Sequence, residues 1–119
     1  MDAVRITIPF TPPSVNGYVR HSRGRHYVTR DSIAFKEAIA FYAIAFGDRR
    51  PCMDAKRYAV TVDIYQAKGE RGDIDNYPKC VLDGLKGVVF KSDAMVKRLL
   101  ITLDRDVANP RTEITVEAL

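Results

Sequence analysis

At 119 residues, with 46% hydrophobic and 29% charged side chains and a net charge of +4, the chain is sized and composed like one ordinary globular domain whose core needs no staples. Its longest apolar run, Ala38 to Phe46, is less than half of the roughly 20 residues a membrane span requires, and the start M-D-A-V-R-I-T-I-P-F lacks the shape of a signal peptide, so no membrane is an expected partner and the cytoplasm is the expected compartment. Cys52 and Cys80 have neither C-x-x-C spacing nor a nearby His, which argues against a disulfide framework and a zinc site.

Val4, Ile6, Ile8 and Phe10 alternate with Arg5 and Thr7, which predicts a half-buried strand over Val4–Phe10 closed by Pro12 and Pro13. The following S-V-N-G-Y reads as loop. Between Arg20 and Arg30 the chain holds Arg20, Arg23, Arg25 and Arg30 and no acid, and the remaining Lys and Arg equal the 15 Asp and Glu in number. The whole excess charge therefore sits in this segment. With Tyr18 and Tyr27 interleaved, it has the composition of a phosphate-contacting surface loop of a nucleic-acid binder, and equally that of a solvated loop that is basic by chance. His26 to Thr29 reads as a short strand. A helix capped by Thr29 or Asp31 should then run to Gly47, with Phe35, Ile39, Tyr42 and Phe46 on one stripe and Phe41 and Ile44 pointing elsewhere. A small domain has little room to bury such a helix on all sides, so its Ser32–Phe46 stretch is an expected homodimer contact.

Tyr58 to Tyr65, rich in β-branched and aromatic residues, predicts a second strong strand with Tyr58, Val60, Val62 and Ile64 on one side. After the loop Q-A-K-G-E-R-G, Ile74, Tyr77, Val81 and Leu85 are spaced for a helix that ends near Gly87, with Gly84 and Gly87 marking its end. Pro78 must lie in its first turn, which makes Asp75 the natural N-cap and leaves Asp73 just outside. Leu99–Leu103 and Thr112–Val116 are further strand candidates. This order of elements describes a single α+β domain, a small mixed sheet with two helices.

Asp73, Asp75, Asp83 and Asp93 crowd around one helix start in a basic protein. Two carboxylates about 5 Å apart repel by roughly 3 kcal/mol at an effective dielectric of about 20, so the crowd needs a counter-charge or full solvation. Capping accounts for Asp75 alone. Asp83 lies about 12 Å along the helix from Asp75, too far to share an ion with Asp73, and finds its natural partner in Lys79 one turn earlier. Asp93 is the acid free to return against the D-x-D pair. Oxygen ligands without Cys or His suit Mg²⁺, with Mn²⁺ also possible. A few carboxylates with a divalent ion, a lysine nearby and a basic arm upstream are the parts phosphodiester hydrolysis needs, because the metal activates water and both cations spread developing negative charge. His21 and His26 sit among the arginines, where phosphate contact suits them better than base catalysis.

P-P-S-V-N-G-Y-V-R-H-S-R-G-R-H-Y-V-T, D-I-D-N-Y-P-K-C-V-L-D-G-L and S-D-A-M-V follow one another as in the RusA family of Holliday junction resolvases, which the chain resembles from its first strand to about residue 104. The resemblance implies a RusA-like fold and a homodimeric, Mg²⁺-dependent endodeoxyribonuclease of phage or prophage type. Such an enzyme binds four-way junction DNA by its structure and nicks two opposing strands, in recombination and repair. By position, Asp73, Asp75 and Asp93 match the family's metal-binding acids, Lys79 its catalytic lysine, and Asn76 and Asp83 supporting positions. Where the family often has a basic residue before the first acid this chain has Gly72, with Arg71 one place earlier, which shifts that DNA contact to Arg71. Arg20, Arg23 and Arg25 are the other expected DNA contacts.

Two readings compete with a resolvase. One is a non-catalytic nucleic-acid binding protein whose acids form only a capped, solvated helix start. The other is a metal-dependent phosphatase for small molecules, in which the arginine-rich arm would have no use.

Overall fold

The computed structural model describes residues 3–12, 19–22, 25–28, 30–45, 55–67, 74 and 77–119. Alternation sets the sheet: β1 (Ala3–Ile8) buries Val4, Ile6 and Ile8, β4 (Tyr58–Gln66) buries Tyr58, Val60, Val62 and Ile64, and β6 (Arg111–Ala118) buries Thr112, Ile114 and Val116. With β5 (Val96–Arg105) they form one sheet in the order β1-β6-β4-β5, in which β6 runs antiparallel to β1 and β4 while β5 runs parallel to β4. The apolar face of the sheet is covered by helix α1 (Arg30–Ala45) and helix α2 (Pro78–Leu85), so the architecture is the α+β arrangement of two helices on a mixed sheet. A parallel neighbour requires a crossover, and the β4-α2-β5 connection supplies it.

Several expected boundaries move. β1 stops at Ile8 rather than Phe10, because the next residue is Pro9, which has no N–H for the ladder. Phe10 leaves the strand to meet the Phe35 ring edge-on at 5.8 Å, and the buried Thr112 hydroxyl donates to the Phe10 carbonyl at 2.8 Å. The basic segment is a β-ribbon and not a loop: β2 (Val19–Ser22) pairs antiparallel with β3 (Arg25–Val28), with Arg20 opposite Tyr27, His21 opposite His26 and Ser22 opposite Arg25. β3 answers the short strand expected over His26–Thr29, one residue earlier and with Thr29 outside the described residues, whereas β2 carries too weak an alternation to be read as a strand and is defined by its pairing with β3.

α1 begins at Arg30, so Asp31 lies in its first turn and not before it, while Thr29 is outside the described residues. The buried stripe is Ser32, Phe35, Ile39 and Ala43, with Tyr42 half-buried; Phe46 falls outside the described residues. Phe41 stays 57% exposed and Ile33 47%. α1 crosses α2 at Gly84, which lies inside α2 and does not mark its end. A Cβ built on Gly84 would stand 2.5 Å from Ile39 Cδ1 and 3.2 Å from Ile39 Cβ, and Ile39 is completely buried. Gly84→Ala should therefore destabilise the fold, because overpacking costs about 1–3 kcal/mol while the gain in helix propensity returns only about 1 kcal/mol. Urea unfolding should show a lower midpoint for Gly84→Ala and recovery on adding Ile39→Val, which removes the clashing methyl. A midpoint at or above the parent's would mean the helices shift apart freely.

α2 ends as expected, with Lys86 as C-cap and Gly87 in the left-handed region at φ 81°. The chain then turns tightly, with Gly87 N–H donating to Phe90 O at 2.7 Å and Val89 N–H to Leu85 O at 2.8 Å, and Phe90 packs against Tyr58. At the other end of β4, Arg111 ties the sheet together. Its Nη1 donates to Asp106 Oδ2 at 2.8 Å, its Nε donates to Glu113 Oε2 at 2.7 Å, and its guanidinium lies 3.9 Å from the centre of the Tyr65 ring. The hydrogen bond from Arg111 holds the Asp106 carboxyl below the ordinary range.

Candidate active site

α2 starts later than its apolar spacing suggests. Pro78 takes the first helical position and Tyr77 is the N-cap, with φ −107°, ψ −28° and no side-chain cap. Asp75 is not the cap. Pro78 has no N–H to donate to a preceding turn and its ring would clash with that turn's carbonyl, so the helix does not extend back through it although Tyr77 itself has helical backbone angles. Ile74, expected on the buried stripe, is exposed. Capping of α2 therefore does not account for an acid at residue 75, and the crowding of carboxylates in the sequence still asks for a cation.

Lys79, in the first turn, is 61% exposed, and its Nζ lies 3.2 Å from Oδ1 of Asp83, whose side chain is 19% exposed. The pair joins residues four apart on one helix face, as their spacing requires. Between them Cys80 is buried, and burial pushes its thiol up to about 12, with Lys36 acting against the rise and Asp83 with it. A thiol of that kind stays protonated near neutral pH and is no nucleophile.

Asp93 arrives on a separate element. Ser92 caps a single 3-10 turn over Asp93–Met95, its hydroxyl accepting from Ala94 N–H at 3.2 Å and its carbonyl from Met95 N–H at 3.0 Å. This turn leads directly into β5 and fixes the backbone that carries Asp93. Asp93 Oδ1 is buried and has no hydrogen-bond partner. A buried carboxylate oxygen without a donor is costly, and native proteins leave few of them unexplained. Such an oxygen suits a hard cation, whose charge would do what a donor otherwise does.

Among the described residues no three acidic, His or Cys side chains are grouped closely enough for a metal. Asp73, Asp75 and Asn76, together with Arg71 and Arg23, lie outside the described residues. Lys79 and Asp83 are brought together, and Asp93 makes neither hydrogen bond nor ion pair with them. Arg20 and Arg25 are placed on the two strands of the ribbon. Among the described residues no helix is long and apolar enough to cross a membrane. One feature near α2 had no signal in the sequence: Gln66 Nε2 donates to the Tyr77 hydroxyl at 3.1 Å, in a buried position. Neither residue belongs to a motif, and only the fold brings them together.

The family described as Endodeoxyribonuclease RusA matches residues 9–117. The chain is similar to the crossover junction endodeoxyribonuclease RusA of Escherichia coli (strain K12), 30% identical over 118 residues that cover 98% of this chain and 95% of the relative. It is similar also to the crossover junction endodeoxyribonuclease rusA of Enterobacteria phage 82, 28% identical over 117 residues with the same coverage of each, and to that of Shigella sonnei (strain Ss046), 28% identical over 118 residues with the same coverage again.

Proposed function

We propose, because the chain belongs to the endodeoxyribonuclease RusA family, that it resolves four-way DNA junctions by divalent-metal-dependent nicking of two opposing strands. It is an enzyme, an endodeoxyribonuclease, and the junction is the substrate its relatives' names point to. The observation that carries the metal dependence is the buried, unpartnered Oδ1 of Asp93, the chemistry expected of a cation ligand. Asp93, with Asp73 and Asp75, would hold Mg²⁺ or Mn²⁺. When bound, such an ion neutralises charge on the scissile phosphate and activates the attacking water.

The chain's own residues do the rest. Lys79, exposed and on the first turn of α2, can leave Asp83 for a phosphate oxygen and offset the charge that builds there. Asp83 keeps the ammonium directed until DNA arrives. Asn76 supports the D-x-D segment, and Arg71 contacts the backbone next to it. Arg20 and Arg25 of the ribbon, together with Arg23, contact phosphates, which positions the junction without reading its sequence.

The decisive experiment is incubation with a synthetic mobile four-way junction, with and without Mg²⁺, against linear duplex of the same sequences. Metal-dependent nicking confined to the junction is expected. Tight binding without any cleavage would favour the non-catalytic reading.

Replacing Arg20, Arg23 and Arg25 with Ala should weaken binding to all DNA. Each lost phosphate contact should lower the slope of log K against log salt by about one unit. An unchanged slope would mean the ribbon does not touch the backbone.

The enzyme is further proposed to act as a homodimer, since a two-fold junction is matched by a closed isologous pair. Phe41 and Ile33 on α1 are apolar and exposed, so that helix is the proposed contact. Phe41→Asp should shift sedimentation from dimer to monomer and suppress paired cutting. A chain already monomeric, cutting both strands at a rate first order in protein, would overturn the dimer.

A further inference from the structure

We infer that Gln66 is a positioning residue for the reaction: its buried carboxamide holds Tyr77, and through it the first turn of α2 that carries Lys79. This inference rests on the proposed roles of Lys79 and the D-x-D acids. Gln66 is the last residue of β4 and only 8% exposed, unusual for an amide side chain at a strand end. Its backbone is doubly anchored, since it lies opposite Arg105 in the β4–β5 ladder and its carbonyl accepts from Asp106 N–H at 2.9 Å. Arg111 in turn holds Asp106 at 2.8 Å. The donor is thus mounted on a strand end that is itself held from both sides of its backbone.

Its acceptor sits at the head of α2. Tyr77, 5% exposed, is the N-cap residue of α2, and no side chain caps that helix. The bond between them, 3.1 Å long, joins residues eleven apart in sequence. Lys79 follows Tyr77 by two residues, so a rotation or slide of the first turn moves its ammonium directly. Two apolar side chains would fill the same space at less cost, because burying amide and hydroxyl is unfavourable unless they bond. What the polar pair adds is direction. A hydrogen bond fixes distance and angle, which apolar packing leaves loose, and a reacting group misplaced by about 1 Å can lose about 100-fold in rate.

The test compares the parent chain with Tyr77→Phe, Gln66→Met and the double variant. Single-turnover cleavage of a four-way junction in Mg²⁺, junction Kd without metal, melting temperature, and hydrogen exchange across residues 74–85 are measured on each. Each single variant should cleave about tenfold or more slowly with junction Kd essentially unchanged, the melting temperature should fall by a few degrees while the chain stays folded at the assay temperature, and exchange at the start of α2 should speed up. The double variant should be slowed by much less than the product of the two single losses, because the bond between the two residues is lost in all three. Parental cleavage and exchange in the single variants would overturn the inference, as would losses that multiply in the double variant or that follow the folded fraction. If the parent chain cuts no junction, the resolvase reading fails and the exchange data alone decide the positioning role: unchanged exchange overturns it and faster exchange upholds it.

Discussion

Asp93→Asn should cut the rate of junction cleavage by at least about 10³-fold, the scale of losing a group that acts only on developing charge, while junction binding persists. The variant keeps the shape of the side chain and the Ser92-capped turn that presents it, since the cap uses Ser92 and the backbone and not the Asp93 carboxylate. What it removes is one negative charge from a position where Oδ1 is buried without a donor. Two consequences separate a ligand from a structural acid. In metal-free buffer the variant should melt no lower than the parent, because no hydrogen bond or ion pair of the carboxylate is lost. Mg²⁺ should raise the parent's melting temperature by binding the folded state and should raise the variant's much less. Asp73→Asn and Asp75→Asn should behave alike. Full cleavage by Asp93→Asn with Mg²⁺ would remove that residue from the site.

Lys79→Ala should lower the cleavage rate by at least about 100-fold with little change in stability. The second half of the expectation follows from exposure: the ion pair with Asp83 is at the surface on the lysine's side, 61% exposed, and such pairs contribute only about 0–1 kcal/mol. A loss of activity therefore should not be a loss of fold. Lys79→Arg should restore little, since a planar fork on a different stem does not place charge where a flexible ammonium does. Single-turnover rates beside urea midpoints decide the matter. If Lys79→Ala unfolds the chain while its rate per folded molecule is intact, the lysine serves Asp83 and not the phosphate.

Period and punctuation made most of the architecture legible from residue order. β1, β4 and β6 bury every second residue, and such alternation has one interpretation when one face of a sheet is wet. Gly87 marked the end of α2 because only a residue without Cβ takes φ 81° easily. The Lys79–Asp83 pair was legible for the same kind of reason, as i and i+4 on a helix are neighbours whatever surrounds them. The acids, the lysine and the family resemblance needed no coordinates, because they are facts of residue type and spacing.

What residue order left open are the relations between distant segments. Apolar spacing put Asp75 at the head of α2, but the start of a helix also depends on what its first residues can pack against, and Tyr77 packs inward from the N-cap with its hydroxyl on Gln66. Gly84 looked like a terminator until α1 was laid across it, since close approach of two helices is a property of both. In the basic stretch β2 became a strand only by pairing with β3. Most of all, nothing local announces that Oδ1 of Asp93 is shut away from water: burial is the sum of what other segments cover, and it gives an acid already singled out by its spacing a physical need for a cation.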